Sequence, residues 1–181
     1  MDGFQIRYQW RAGGGYNFGQ RFTSDFRRVY CRPAVYRWRL IRAPGEQKEP
    51  IYIGEAEDLV RRIQRVITPG KKASETNTNY RLNKLFTSYV ASGRTVVLDI
   101  ADIQEFEING QRYGGDTLGD RFKRRALENI ILVDAAKDFH FELLNIVIDP
   151  LEKQRAILST LPPNKIREIV RKYAPDALKN P

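Results

Sequence analysis

An α+β domain, with a small antiparallel or mixed β-sheet flanked by helices, is the fold class this sequence predicts. Three observations lead there. Two β-rich segments, AVYRWRLI at residues 34 to 41 and IYIG at 51 to 54, are joined by the turn-forming APGEQKEP, which reads as a hairpin. Apolar residues then recur at helical spacing in several later stretches, with another strand-like segment, RTVVLDIAD, between two of them. Finally, 181 residues with 41% hydrophobic content suffice for one well-buried core and not comfortably for two.

Taken in order, residues 1 to 33 mix Phe4, Tyr8, Trp10, Tyr16, Phe18 and Phe22 with six arginines around Gly13-Gly14-Gly15. This predicts an irregular or β-hairpin arm, whose aromatic and guanidinium groups suit base stacking and phosphate contact, or equally the faces of half-buried strands. After the hairpin, Asp58 can cap a helix whose Leu59, Ile63, Val66 and Ile67 line one face, ending before Pro69 and Gly70. TPGKKASETNTN is a polar loop. A second helix is expected from about Asn79 to Ala91, with a stripe of Leu82, Leu85, Phe86, Tyr89 and Val90 closed by Gly93. RTVVLDIAD is a strand, and Asn109-Gly110 suits a type I′ turn between FEI and QRY. A long helix follows over about Thr117 to Ala136. Two terminal helices, Leu151 to Leu161 and Lys165 to Tyr173, are split by Pro162-Pro163.

Composition narrows the chemistry. Cys31 is the only cysteine and His140 the only histidine, so disulfide frameworks, Cys/His zinc sites and a Cys–His nucleophile pair all lack members. Any metal must sit on carboxylate oxygen, and His140 reads as a surface or packing residue. No run of about 18 apolar residues exists and MDGFQIRYQWR lacks a secretory pattern, so a soluble, cytoplasmic protein with no membrane partner is expected. The net charge of +9 points to a polyanion, nucleic acid first among them. Residues 1 to 72 hold fifteen basic and seven acidic side chains, hence +8 of that +9. A solvated face tuned for solubility is the plain alternative.

One constellation carries more. AVY at 34 to 36, YIG at 52 to 54 and then EAEDLVRRI resemble the signature of the GIY-YIG nuclease superfamily. So does the order strand, strand, helix with arginine, helix, strand, helix with glutamate, over about residues 33 to 146. The resemblance implies a catalytic domain at 34–148, an N-terminal basic arm at 1–33 and a C-terminal helical extension at 149–181. It implies a metal-dependent DNA endonuclease with Mg²⁺ (or Mn²⁺) as cofactor and double-stranded DNA as partner, and it leaves room for a homodimer. The family's active-site positions fall on Tyr36, Tyr52, Arg62, Glu128 and Asn145, with Glu128 as the metal ligand. Three departures stand out. Ala34 replaces the first glycine, the hairpin between the tyrosines is longer than usual, and Val66 stands where relatives often carry histidine one turn after the arginine.

The residues make chemical sense of their own. At about 100° per residue, with Leu59 at 0°, Ile63 falls near 40° and Val66 near 340°, whereas Arg62 falls near 300° and Arg61 and Arg65 near 200° to 240°. Arg62 therefore borders the core, where packing can hold its guanidinium for a bidentate grip on phosphate. Arg61 and Arg65 face outward and, with Arg37, Arg39, Lys71 and Lys72, are the candidate DNA-backbone contacts. Glu128 interrupts the apolar ALENIILV and needs a cation, either a metal or Arg124 or Arg125 on its own helix. Tyr36 and Tyr52 read as core aromatics or as two phenols at one basic site, Tyr36 accepting a proton from water and Tyr52 positioning it. Asn145 could orient a phosphate oxygen or cap a local turn. The compact format most resembles a type II restriction endonuclease. A structure-selective or mobile-element nuclease and an inactive DNA-binding module are the alternatives.

Overall fold

The computed structural model describes residues 6–70, 77–108, 110–149 and 162–173. Among them, six strands form one mixed sheet: β1 (Ile6–Asn17), β2 (Ala34–Leu40), β3 (Glu49–Ala56), β4 (Val96–Ile108), β5 (Gln111–Gly114) and β6 (Phe141–Leu143). Their order is β1-β4-β2-β3-β6, with β5 paired to β4. The β3–β6 pair is parallel and the others are antiparallel. The helices are α1 (Ser24–Tyr30), α2 (Leu59–Ile67), α3 (Thr78–Ala91), α4 (Arg121–Lys137), α5 (Asn145–Ile148) and α6 (Pro163–Tyr173). The class is α+β, and no described helix is long and apolar enough to cross a membrane.

Side-chain alternation along the strands gives the sheet two apolar faces. On one, Tyr36, Trp38 and Leu40 of β2, Tyr52 of β3 and Leu98 of β4 meet Leu59, Ile63 and Val66 of α2 and Leu82 and Phe86 of α3. On the other, Val35, Ile51, Ile53 and Ile103 meet Leu127, Ile131 and Leu132 of α4. The helices start where side chains cap them. Asp58 Oδ1 accepts from Arg61 N at 2.9 Å ahead of α2, and Asp120 Oδ1 accepts from Phe122 N at 2.8 Å ahead of α4.

Several expectations are decided here. Of the two readings of the N-terminal segment, Ile6–Asn17 takes the half-buried strand: β1 pairs with β4 from Ile6 opposite Phe106 to Asn17 opposite Val97. Its alternation explains this, since Tyr8 and Trp10 pack on the α4-side core while Arg7 and Arg11 pair with Glu105 and Asp102 at 3.2 and 2.5 Å. The long helix begins later than expected, at Arg121, after a 3-10 turn over Gly115–Gly119. Gly110, at φ +77°, takes the left-handed conformation of the expected turn, while Asn109 lies outside the described residues, as do Lys71, Lys72 and the expected helix at 151–161.

The hairpin register puts Tyr36 opposite Gly54 and Trp38 opposite Tyr52. A Cβ on Gly54 would lie 2.7 Å from the Tyr36 hydroxyl and 2.8 Å from its Cζ, so the glycine is required by the phenol packed on it. Gly54→Ala is expected to destabilise by about 1–3 kcal/mol, as overpacking does, and to push Tyr36 off its partner. A urea midpoint equal to wild type would refute this.

Candidate active site

β2 and β3 hold the two phenols side by side, and α2 brings a guanidinium to them. Arg62 Nε donates to the Tyr36 hydroxyl at 3.0 Å, and Arg62 Nη1 donates to Asn79 Oδ1 at the start of α3. The Tyr52 hydroxyl donates to Asp149 Oδ1 at 3.0 Å. Asn145 Nδ2 donates to Asp149 Oδ2 at 2.8 Å and to the Ile53 carbonyl at 2.7 Å, while its Oδ1 accepts from Ile53 N at 2.9 Å. Two hydrogen-bonded sets, Arg62 with Tyr36 and Asn79, and Tyr52 with Asp149 and Asn145, are joined into one network through the interaction of Arg62 with both phenols, so that Asn79 and Asp149 are additions to the expected positions. No pattern in the sequence marks Asn79, whereas Asp149 sits one helical turn after Asn145, a spacing that pairs side chains.

Burial sets the protonation of this network. It pushes the Tyr36 phenol above its ordinary value, and the charge and hydrogen bond of Arg62 offset only part of that. It pushes Tyr52 well above, with the negative charge of Asp149 adding to the rise. Arg62 is held more firmly protonated, chiefly through its interaction with Tyr36, with burial opposing. Both phenols are thus neutral at neutral pH, contrary to a simple picture in which the cation alone would depress Tyr36. The sign for stability follows. A folded-state value above the unfolded value of about 10 means a contribution that is complete below about pH 10 and lost as pH rises through the folded values. Urea midpoints should therefore fall above about pH 10, less steeply in Tyr52→Phe. A midpoint that rises there would contradict the assignment.

Glu128 lies on α4, 3% exposed, and its negative charge contributes to raising both phenols. Two arginines on the same helix reach Glu55. Arg124 Nε lies 2.6 Å from Glu55 Oε2, and Arg125 Nε lies 3.8 Å from Oε1. Among the described residues, no three Asp, Glu, His or Cys side chains gather as a metal site. Two buried carboxylates, Glu128 and Asp149, act by their charge on the two phenols, and Asp149 already accepts from Tyr52 and Asn145. This donor set does not fit zinc. It does fit a hard ion such as Mg²⁺, which binds through one or two carboxylates and completes its shell with water and substrate phosphate.

Beside this network lies a groove of about 640 Å³, lined by six arginines, Arg32, Arg61, Arg62, Arg65, Arg121 and Arg124, together with the carboxylates of Glu55, Glu57 and Asp58. Arg61 and Arg65 are exposed and Arg62 half-buried, as the helical wheel requires, and Arg32 and Arg121 are exposed additions from outside α2. Arg37 and Arg39 are not part of it. Arg37 Nε bonds Asp99 Oδ2 at 2.8 Å, its guanidinium lies 4.4 Å from the Trp10 ring centroid, and its side chain is only 11% exposed. Arg39 holds Glu49 at 2.5 Å and Asp99 at 3.6 Å. Their charge is engaged by Asp99, which is buried, and Glu49, which is half-buried, so both sit in internal ion pairs away from the groove. Asn145 is fully buried, its amide oxygen bound to Ile53 N and its nitrogen to the Ile53 carbonyl and Asp149, which is the local bonding role of its two readings.

Compared with known proteins, this chain matches no family model, no curated protein and no solved structure. The geometry of the site is what bears on its chemistry.

Proposed function

We propose that the chain is a metal-dependent DNA endonuclease of the GIY-YIG kind, hydrolysing phosphodiester bonds in double-stranded DNA, with a type II restriction enzyme as the subclass. One observation carries the reading: Arg62 belongs both to the network of Tyr36 and Tyr52 and to the wall of an arginine-lined groove. A polyanion lying in that groove would present phosphate to the one guanidinium already fixed by a phenol.

Each residue then has a task. Arg62 steadies the charge that builds on phosphorus, with the N–H groups that Tyr36, Tyr52 and Asn79 leave over. Tyr36, in its deprotonated form, accepts a proton from water at its phenolate oxygen and returns to the neutral phenol, and Tyr52, tied through Asp149 to Asn145, fixes the neighbouring oxygen in place. Glu128 would hold the divalent ion, which when bound supplies positive charge against phosphate and phenols and lowers their proton affinity. Arg32, Arg61, Arg65 and Arg121 grip the backbone on either side.

The decisive test incubates the protein with plasmid and phage DNA in Mg²⁺, Mn²⁺ or EDTA and sequences the product ends. Discrete ends that require the ion are expected. Intact DNA under every condition would end the nuclease reading, and scattered or junction-specific ends would end the restriction subclass.

The arginines are separable. Arg62→Ala should lose turnover with little change in DNA affinity, whereas Arg61→Ala or Arg65→Ala should weaken binding and flatten its salt dependence by roughly one unit of slope per phosphate no longer neutralised. A greater turnover loss at Arg61 or Arg65 than at Arg62 would reverse the assignment.

A further inference from the structure

Arg62 is gripped from two sides, and the second grip comes from outside the strands and helix that carry the motif. Its Nε donates to Tyr36 at 3.0 Å and its Nη1 to Asn79 Oδ1. Asn79 is fixed in turn: it stands in the first turn of α3, where its backbone N–H donates at 2.9 Å to Oδ1 of the capping residue Asn77. One turn further along α3, Asn83 Nδ2 donates at 3.0 Å to the Ile67 carbonyl at the end of α2. Two amides four residues apart thus tie α3 to α2, one through the guanidinium and one through the backbone. A guanidinium has five N–H groups in a rigid plane, so binding Nε and one N–H of Nη1 fixes that plane, and the N–H groups that these and Tyr52 do not engage face the groove that the side chain lines.

We infer that Asn79 is a positioning residue for the reaction, setting the plane of Arg62 so that its remaining N–H groups meet phosphate in the geometry that turnover needs. The inference rests on the nuclease reading for what Arg62 does, though not for how it is held. The two phenols hold the guanidinium from the sheet side and leave its α3 side free to tilt. Asn79 removes that freedom, and because it meets Arg62 at Nη1 rather than Nε, it does so without displacing the phenol.

The test compares Asn79→Leu, which keeps the volume and removes the acceptor, with Asn79→Asp, which keeps an oxygen in place. Single-turnover cleavage of plasmid DNA, followed over a range of enzyme concentrations and joined to steady-state rates, gives kcat and KM. The ¹⁵Nε resonance of Arg62 reports whether its side chain is held, whether or not DNA is cut. Asn79→Leu is expected to lose kcat by about 100-fold, the scale of a small misplacement of a reacting group, with KM within about twofold and a broadened Arg62 signal; Asn79→Asp should retain most of kcat and a sharp signal. Wild-type kcat in Asn79→Leu would overturn the proposal. So would equal losses in both variants accompanied by equal drops in melting temperature, which would make Asn79 merely a part of the α2–α3 packing. If the wild-type protein leaves DNA intact while its Arg62 signal is sharp, the nuclease reading has failed and the role in turnover goes with it; DNA cut by wild type and Asn79→Leu alike sinks the positioning role alone.

Discussion

Glu128→Gln should abolish metal-stimulated cleavage and leave DNA binding measurable. The substitution keeps size and shape and removes one negative charge from a residue that is 3% exposed on the buried face of α4, beside Leu127, Ile131 and Leu132. If the carboxylate served to pair with an arginine of its own helix, the loss would appear as stability. Arg124 and Arg125 also reach Glu55, and a hard cation brought with phosphate is a further purpose that the chemistry of Glu128 suits. An ion whose carboxylate anchor has gone should be needed at far higher concentration or not be used at all. The measurement is cleavage against Mg²⁺ concentration, beside filter binding in EDTA. Near wild-type cutting at ordinary Mg²⁺ would remove Glu128 from the reaction. Loss of both cutting and binding, with a lowered melting temperature, would make it structural.

Tyr36→Phe is the second large effect. Losing a general base typically costs about 10² to 10⁴ in rate, and this variant keeps the ring that packs on Gly54 while removing the oxygen that accepts from Arg62. Because burial raises the phenol above its ordinary value, only a small fraction is deprotonated at neutral pH. The wild-type rate should therefore climb with pH, close to tenfold per unit while the deprotonated form is the minor one. Tyr36→Phe should be slow and flat over the same range. Tyr52→Phe should lose less and keep the climb, since the Tyr52 hydroxyl donates its proton to Asp149 and serves to position. A wild-type rate independent of pH, or a Tyr36→Phe variant with most of its single-turnover activity and an unchanged melting temperature, would assign the proton to another acceptor.

What could be read in the sequence, and what could not, follows the range of the interactions. The β2–β3 hairpin, the Asp58 cap and the face of α2 that buries Leu59, Ile63 and Val66 are local, written in alternation, helical spacing and one capping side chain. Arg62 at the border of that face, with Arg61 and Arg65 outside it, follows from the same periodicity. Arg37 and Arg39 illustrate the opposite case. Strand alternation says that they point away from Tyr36 and Trp38, but the carboxylate opposite Arg37 is Asp99, 62 residues later, and nothing local announces it. The N-terminal segment was ambiguous: its aromatics and arginines fit a nucleic-acid arm and a half-buried strand alike, and pairing with β4 gives Ile6–Asn17 the strand. Asp149 and Asn79 join the site through contacts 97 and 17 residues away in sequence, to Tyr52 and Arg62. β6, at three residues, is too short for any period to register.

The Asn145 side chain has a further consequence, for aggregation. β6 runs beside β3 only as far as Leu143 opposite Ile51, and Leu144 N still donates to the Ile51 carbonyl at 2.8 Å. The chain then turns into α5, which would leave the N–H and C=O of Ile53 as a bare sheet edge. A carboxamide contains the same donor and acceptor as a peptide group, and Asn145 uses both on Ile53, at 2.9 and 2.7 Å. One side chain thus supplies the rung that the departing strand no longer makes. An open rung is a template on which a strand from another molecule can add. Here the template is already occupied, at the point where the sheet passes beside its two buried phenols.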